Sequence, residues 1–398
     1  MKNLVYALFL LIILAACKDD EIDPKTSFTK IYDSFRSDQS YYPIDIVATE
    51  TGFLVLTSQS LKNTDDDRNY SGVQLIELDE EGNYVAETTL NAEQYDSPIG
   101  DFMTIDDMYY FVMMDNNKRA QLASVGSSIE SLVITPLSNG LTWPLAASLS
   151  TNDNIILLSF DGTDQTIISL VNLDGTATTN AAYSIGTNND IAAVIFDHFT
   201  DPERYGLPFF CGQLSETTYY FNGIYDHTLS LVFTNLGQNP TGVCQGQGTD
   251  GGLTALLPLP SGGYSLFGYQ FNDNFIQPNQ AIANDVVTSS INFMNVPFSE
   301  YKSRTPANIV SYERNGTMYS VIAAETQSRQ IALNVFDIAT SESVGVLKIG
   351  NINPYTLSSI KVDEDNNLLV LGTTLVSGRF PRVFFKKISE KEMSDLIQ

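Results

Sequence analysis

The side chains able to do chemistry are few and scattered. Two histidines occur in 398 residues, His198 in Ile195-Phe196-Asp197-His198-Phe199 and His227 in Ile224-Tyr225-Asp226-His227. Each follows an aromatic and an aspartate, which would suit a metal ligand or an acid/base group whose ring is oriented by a carboxylate. The plainer reading makes them turn residues, His198 ending a first strand and His227 at a hairpin corner. Asp101, Asp106, Asp107 and Glu313 fall in or beside predicted first strands. A pair of them at a defined separation could cleave a glycosidic bond, although solvated turns account for them as simply. Asn63-Thr64-Asp65-Asp66-Asp67 is an oxygen-rich loop and the better calcium candidate. Asp363-Glu364-Asp365-Asn366-Asn367 reads as turn chemistry, and neither has the spacing of a twelve-residue calcium loop. Asp65, Asp66, Asp67, His198 and His227 are therefore the metal candidates, and no other cofactor is expected. No nucleophile elbow, Walker loop or His-Glu-x-x-His motif occurs.

The elements that would position these groups read as β-strands from residue 28 to the end, with a helical turn only at 390–398. Short runs of Val, Ile, Leu, Tyr and Phe alternate with Gly, Asn, Asp and Pro turns. Many short strands imply a sandwich, a barrel or a propeller, and a repeat decides among them. Each unit has a small or apolar strand, a polar turn, a very apolar strand, a loop, an xLxxLD strand and a fourth strand. The first copy runs through 43–48, 53–56, 74–79 and 84–90. Units start near residues 43, 98, 144, 190, 252, 306 and 355, which makes a β-propeller of seven four-stranded blades the best count. Six or eight remain compatible with the irregular copies at 190–300. The last unit has three strands, and residues 28–35 form a strand with no blade of its own. Pairing it with 382–388 would close the ring and remove an open sheet edge.

The segment 199–284 departs most from the repeat. Its long loops make Tyr205, Tyr269, Phe271 and Phe275 candidate binding residues, able to stack on a sugar or a partner protein, against the simpler reading that they pack within or between blades. Trp143, the one tryptophan, precedes Pro144 at a blade start and reads as core packing.

The chain opens on a basic start, Met1-Lys2-Asn3, and an unbroken apolar run over 4–13, too short to span a bilayer comfortably. Leu14-Ala15-Ala16-Cys17 follows and resembles the lipobox of bacterial lipoproteins. Lys18-Asp19-Asp20-Glu21 resembles the surface-export signal of lipoproteins from Bacteroidota. This resemblance implies a signal peptide over 1–16, lipidation of Cys17, a flexible acidic tether over 17–27 and a single domain over 28–398. It implies attachment to the outer membrane through the lipid, facing outward at the cell surface. The whole pattern is similar to the β-propeller lipoproteins of Bacteroidota, without the Trp-Asp signature of WD repeats or the Asp boxes of sialidases.

Once Cys17 is assigned to lipid, Cys211 and Cys244 remain as an even pair that an oxidising compartment could join in a disulfide. They lack the CxxC spacing of a metal site. The composition is globular, with 43% hydrophobic residues, and the formal net charge of −26 repels nucleic acid and anionic headgroups. The leading expectation is a binding or scaffolding lipoprotein, more simply not an enzyme, acting as accessory subunit of an outer-membrane uptake or secretion complex. The alternatives are a cell-surface polysaccharide hydrolase or lyase, and a periplasm-facing scaffold similar to the propeller lipoprotein of the proteobacterial outer-membrane assembly machinery.

Overall fold

The computed structural model describes residues 26–32, 40–62, 69–138, 140–187, 189–200, 206–246, 251–288, 297–375 and 380–397. The lipobox and most of the tether, residues 33–35, Asp65, Asp66, Asp67 and Tyr205 lie outside them. Seven sheets form the blades of a β-propeller, as the repeat predicts. Blades 1, 2, 3, 6 and 7 begin at Tyr41–Thr49, Tyr95–Ile105, Pro144–Leu149, Ala307–Arg314 and Tyr355–Val362, and each has four strands. Blades 4 and 5 begin at Phe210–Ser215 and Gly251–Pro258. Neighbouring first strands lie side by side around the axis from blade 5 through blades 6, 7, 1, 2 and 3 to blade 4.

The second strand of each blade is the most apolar because it is covered on both faces. Successive side chains of a strand point to opposite faces, so one strand feeds two interfaces. Phe53 and Val55 pack toward blade 7, while Leu54 and Leu56 pack toward blade 2. Ile155 and Leu157 face blade 2, and Ile156 and Leu158 face blade 4. The core is accordingly divided into seven hydrophobic clusters, one at each interface between adjacent blades.

The ring closes through the N-terminal strand Phe28–Tyr32, which pairs antiparallel with Pro381–Ile388 as the outer strand of blade 7. Phe28 pairs with Lys387 and Tyr32 with Val383. Phe28, Phe53 and Phe385 meet edge to face, with centroids 5.0 Å apart for Phe28–Phe385 and 4.9 Å for Phe53–Phe385. The strand also grips blade 1: the Tyr32 hydroxyl donates to the Gly82 carbonyl at 2.8 Å, and Lys30 Nζ donates to Asn83 Oδ1 at 2.9 Å. Gly82 has φ +71, and a β-carbon there would come within 2.5 Å of the Phe28 ring.

One expectation fails here. No blade starts near 190; residues Asn189–Thr200 form helix α1, and blade 4 begins at Phe210. Ile191, Ala192, Ile195, Phe196 and Phe199 recur at three- and four-residue intervals and give a helix one apolar face. The connection from the last strand of blade 3 to the first of blade 4 carries α1 on one face of the disc, with the hairpins between second and third strands. Blade 4 gains a fifth strand, Val287–Thr288, parallel to Gly242–Cys244, and blade 5 has three strands among the described residues. On the opposite face, helix α2 (Glu390–Leu396) starts with a Ser389/Glu392 capping box and buries Met393 between blades 6 and 7. No helix among the described residues is long and apolar enough to cross a membrane.

Candidate functional site

Asp45 is the most enclosed charge on the axis. Its first strand slips register between Pro43 and Asp45, and comparable irregularities mark the first strands of blades 2, 3, 4, 5 and 7. Such bulges re-aim side chains. Asp45 is fully buried. Its Oδ1 accepts the Ser359 hydroxyl at 2.5 Å, and its Oδ2 accepts the Phe102 N–H at 2.5 Å and lies 3.2 Å from Lys361 Nζ. Lys361 also pairs with Asp101 Oδ1 at 2.9 Å. One carboxylate thus ties blade 1 to blades 2 and 7. Burial raises the Asp45 pKa against the opposing pull of Lys361. Burial disfavours the Lys361 charge, but Asp101 and Asp45 outweigh it and raise its pKa. Every oxygen of Asp45 is engaged, so the cluster locks strands together.

Farther round the axis, Cys211 Sγ lies 3.7 Å from Ser148 Oγ and donates to the Ile156 carbonyl at 3.4 Å. Burial pushes its thiol up to about 12, which keeps it protonated and unreactive at neutral pH. Cys211 and Cys244 are both buried and no disulfide joins them, although the even pair had left one possible. They sit on the first and fourth strands of blade 4, three strand spacings or ~14 Å apart. Cα atoms more than ~7 Å apart cannot be bridged without moving backbone.

His198 lies on α1 and does not end a strand. Its ring is enclosed by Phe199 and Phe209 at 5.2 and 4.9 Å, and Nδ1 accepts the Leu207 N–H at 2.9 Å. Burial lowers its pKa to about 4, so the ring is neutral at pH 7 with its proton on Nε2. His227 does occupy a hairpin corner, with φ +73, its N–H donating to the Ile185 carbonyl at 2.8 Å. Its ring lies on Gly186, where a β-carbon would come within 2.4 Å. Asp106 and Asp107 form the turn after the first strand of blade 2, both in the left-handed region, away from Asp101. Glu313 offers its carbonyl to Asn366 Nδ2 at 2.8 Å near the end of blade 6's first strand. Asp363 caps its own turn by accepting the Asn367 N–H at 2.7 Å, as turn chemistry predicts. Among the described residues no group of three or more His, Cys, Asp or Glu could hold a metal ion.

The aromatic candidates divide. Tyr269 and Phe275 are buried strand residues of blade 5, and Trp143 packs on Phe196 and Phe199 of α1. Phe271 is 65% exposed at a hairpin tip. The sequence reading passed over Lys118. Its Nζ lies 2.9 Å from Asp96 Oδ2 and 3.4 Å from the centroid of the Tyr70 ring, and its carbonyl accepts the Trp143 N–H at 2.9 Å. Lys118 and Trp143 both have φ > 0, a backbone cost that a lysine following the Asn116-Asn117 turn does not announce.

No protein-family model matches this chain, and neither does any curated protein sequence. Solved structures with a similar outline include a protein of unknown function from Bacteroides caccae, at 7% identity and TM-score 0.37, covering 90% of this chain and 97% of that one. The β-propeller domain of the Trilobed protease from Pyrococcus furiosus is 9% identical with TM-score 0.42, over 87% and 93% of the two chains. A sialidase from Trypanosoma rangeli is 9% identical with TM-score 0.42, over 92% of this chain and 59% of its own. At these identities the likeness concerns the fold alone.

Proposed function

We propose that the protein is a lipid-anchored binding or scaffolding propeller of the outer membrane, an accessory subunit that holds a partner of an uptake or secretion complex. One observation carries the reading: the N-terminal strand is built into the closure blade with Phe28 opposite Lys387, near the end of that blade's third strand. The chain ahead of Phe28 therefore joins the disc on the face opposite α1. With Cys17 as the anchor, ten residues separate it from Phe28, a reach of at most ~35 Å. The disc is held near the membrane by one face and presents the α1 face to a partner. Two acyl chains or more would make that attachment stable.

The test uses the full-length protein in its own cells. Labelling with an alkyne fatty acid should mark wild type and leave Cys17→Ala unmarked. Protease added to intact cells should digest a surface-exposed protein. Affinity isolation from solubilised outer membranes should recover a stoichiometric partner. Labelling that persists in Cys17→Ala refutes the anchor, and isolation of the propeller alone refutes the scaffolding role.

A further inference from the structure

Blade 5 contains an anomaly that packing does not explain. Its strands Tyr264–Gln270 and Asp273–Gln280 are joined by a two-residue turn, Phe271-Asn272, with φ +51 and +75. Hairpin turns with two positive φ values favour Asn-Gly, because a β-carbon is strained there. Phe is a poor occupant, and at 65% exposure its ring gains little burial to offset that strain. Strained positions that the surroundings do not repay tend to belong to binding sites.

The neighbourhood gives the tip a chemical character. Arg304 Nε donates to Asn272 Oδ1 at 3.1 Å, and its guanidinium lies 5.4 Å from the Tyr269 ring. Lys302 continues the wall into blade 6, its N–H donating to the Glu325 carbonyl at 3.0 Å. Gln327 Nε2 then donates to the Ser299 carbonyl at 2.7 Å. The Arg329 carbonyl accepts the Tyr355 N–H of blade 7 at 2.9 Å, and Gln330 Nε2 donates to the Gly350 carbonyl at 3.0 Å. Two residues beyond Gly350, Ile352 is 92% exposed. Phe271 and Ile352 thus flank a continuous hydrogen-bonded rim on the α1 face of blades 5 to 7, with Lys302, Arg304 and Arg329 exposed along it. Arg304 and Arg329 also have φ > 0. Glu325 and Glu300 are paired with Lys302 and Lys348. Arg329 makes no ion pair among the described residues. Asp273, Glu300 and Glu325 stand among these cations, so on a chain of net charge −26 the rim is a near-balanced patch beside exposed apolar side chains.

We infer that this rim is a docking surface for a protein partner that offers an apolar cleft to Phe271 and a carboxylate to Arg329. Aromatic and arginine side chains carry much of the energy of protein interfaces. An acidic partner would be repelled by most of this molecule and admitted at the rim, which fixes orientation as well as affinity. The inference rests on the scaffolding reading above and names the surface that reading uses.

The experiment places a benzophenone photocrosslinker at position 271 of the full-length protein in intact membranes, with position 133 on the outer strand of blade 2 as control. The expected result is an adduct with one protein at 271 and none at 133, mapping to a cleft bordered by Asp or Glu. Recovery of that protein should fall about thirty-fold for Arg329→Glu and for Phe271→Gly. The Gly variant relieves the turn, so its unfolding midpoint should be equal to or above that of wild type. Unchanged recovery in both variants overturns the surface and leaves the scaffolding reading standing. Wild type isolated without any partner overturns both. An adduct with a second copy of this chain or with a glycan overturns the partner chemistry.

Discussion

Where blades 7 and 1 meet, every buried side-chain polar atom among the described residues has a partner. Across the ring, in blades 3 to 5, Ser159 Oγ, Ser169 Oγ, Gln213 Nε2, Asn222 Oδ1, Thr254 Oγ1, Ser265 Oγ and Asn274 Oδ1 have none, and blades 2 and 6 add two each. The seam is pinned at both radii, by Asp45 at the axis and by the Phe28–Tyr32 strand at the rim. The far half carries α1, a five-stranded blade, a blade with three strands among the described residues, and two cysteines that form no disulfide. An unpartnered buried polar group costs about 1–3 kcal/mol unless water reaches it. A closed ring needs one strong joint because its failure opens every interface beside it. With that joint supplied by blades 7, 1 and 2, the opposite blades can carry insertions and strained turns.

The sharpest way to break this contrast is at the axis. Asp45→Ala leaves Lys361 with Asp101 alone and removes the acceptor for Ser359 and Phe102, so urea unfolding should show a loss of about 3–5 kcal/mol. A loss below about 1 kcal/mol would mean that Asp45 joins nothing. Phe28→Ala, at the outer radius, should cost about 3 kcal/mol, since Phe28 is buried against Phe53 and Phe385. A protein as stable as wild type would show the N-terminal strand to be dispensable for closure.

On the far side the expected weakness is acid. His198 is held neutral, with a folded pKa near 4 against 6.5 unfolded. Between these values the unfolded chain binds more protons, so the stability is fully present above pH 6.5 and lost as pH falls toward 4. The loss should reach about 2 kcal/mol by pH 5. Trp143 packs on α1 and reports it directly: its fluorescence should shift with acid in wild type and hold to lower pH in His198→Phe. The smallest effect reverses sign. Thr254→Val replaces an unpartnered hydroxyl with a methyl of similar shape and should leave stability unchanged or raise it by up to about 1 kcal/mol. A loss above 1 kcal/mol would show that the hydroxyl has a partner.

The regular blades are legible in the sequence because a second strand covered on both faces reads as an unbroken apolar run, as in Phe53-Leu54-Val55-Leu56 and Ile155-Ile156-Leu157-Leu158. The N-terminal strand was legible as a strand without a blade. Helix α1 carried its own signal in Ile191, Ile195 and Phe199, four residues apart, but its β-branched residues sat where a blade was due. Asp45 offered no local sign at all. Its partners Phe102, Ser359 and Lys361 are far away in sequence, and only closure of the ring brings them together. Phe271 was legible as a loop aromatic, whereas its left-handed backbone follows from a two-residue turn that strand pairing alone defines.

Native-state hydrogen exchange tests the contrast most directly, because it measures local opening strand by strand. The account predicts that amides of Phe28–Tyr32 and its partner Pro381–Ile388 exchange only by global opening, while those of α1 exchange faster by local opening. Exchange of Phe28–Tyr32 as fast as that of α1 would contradict it.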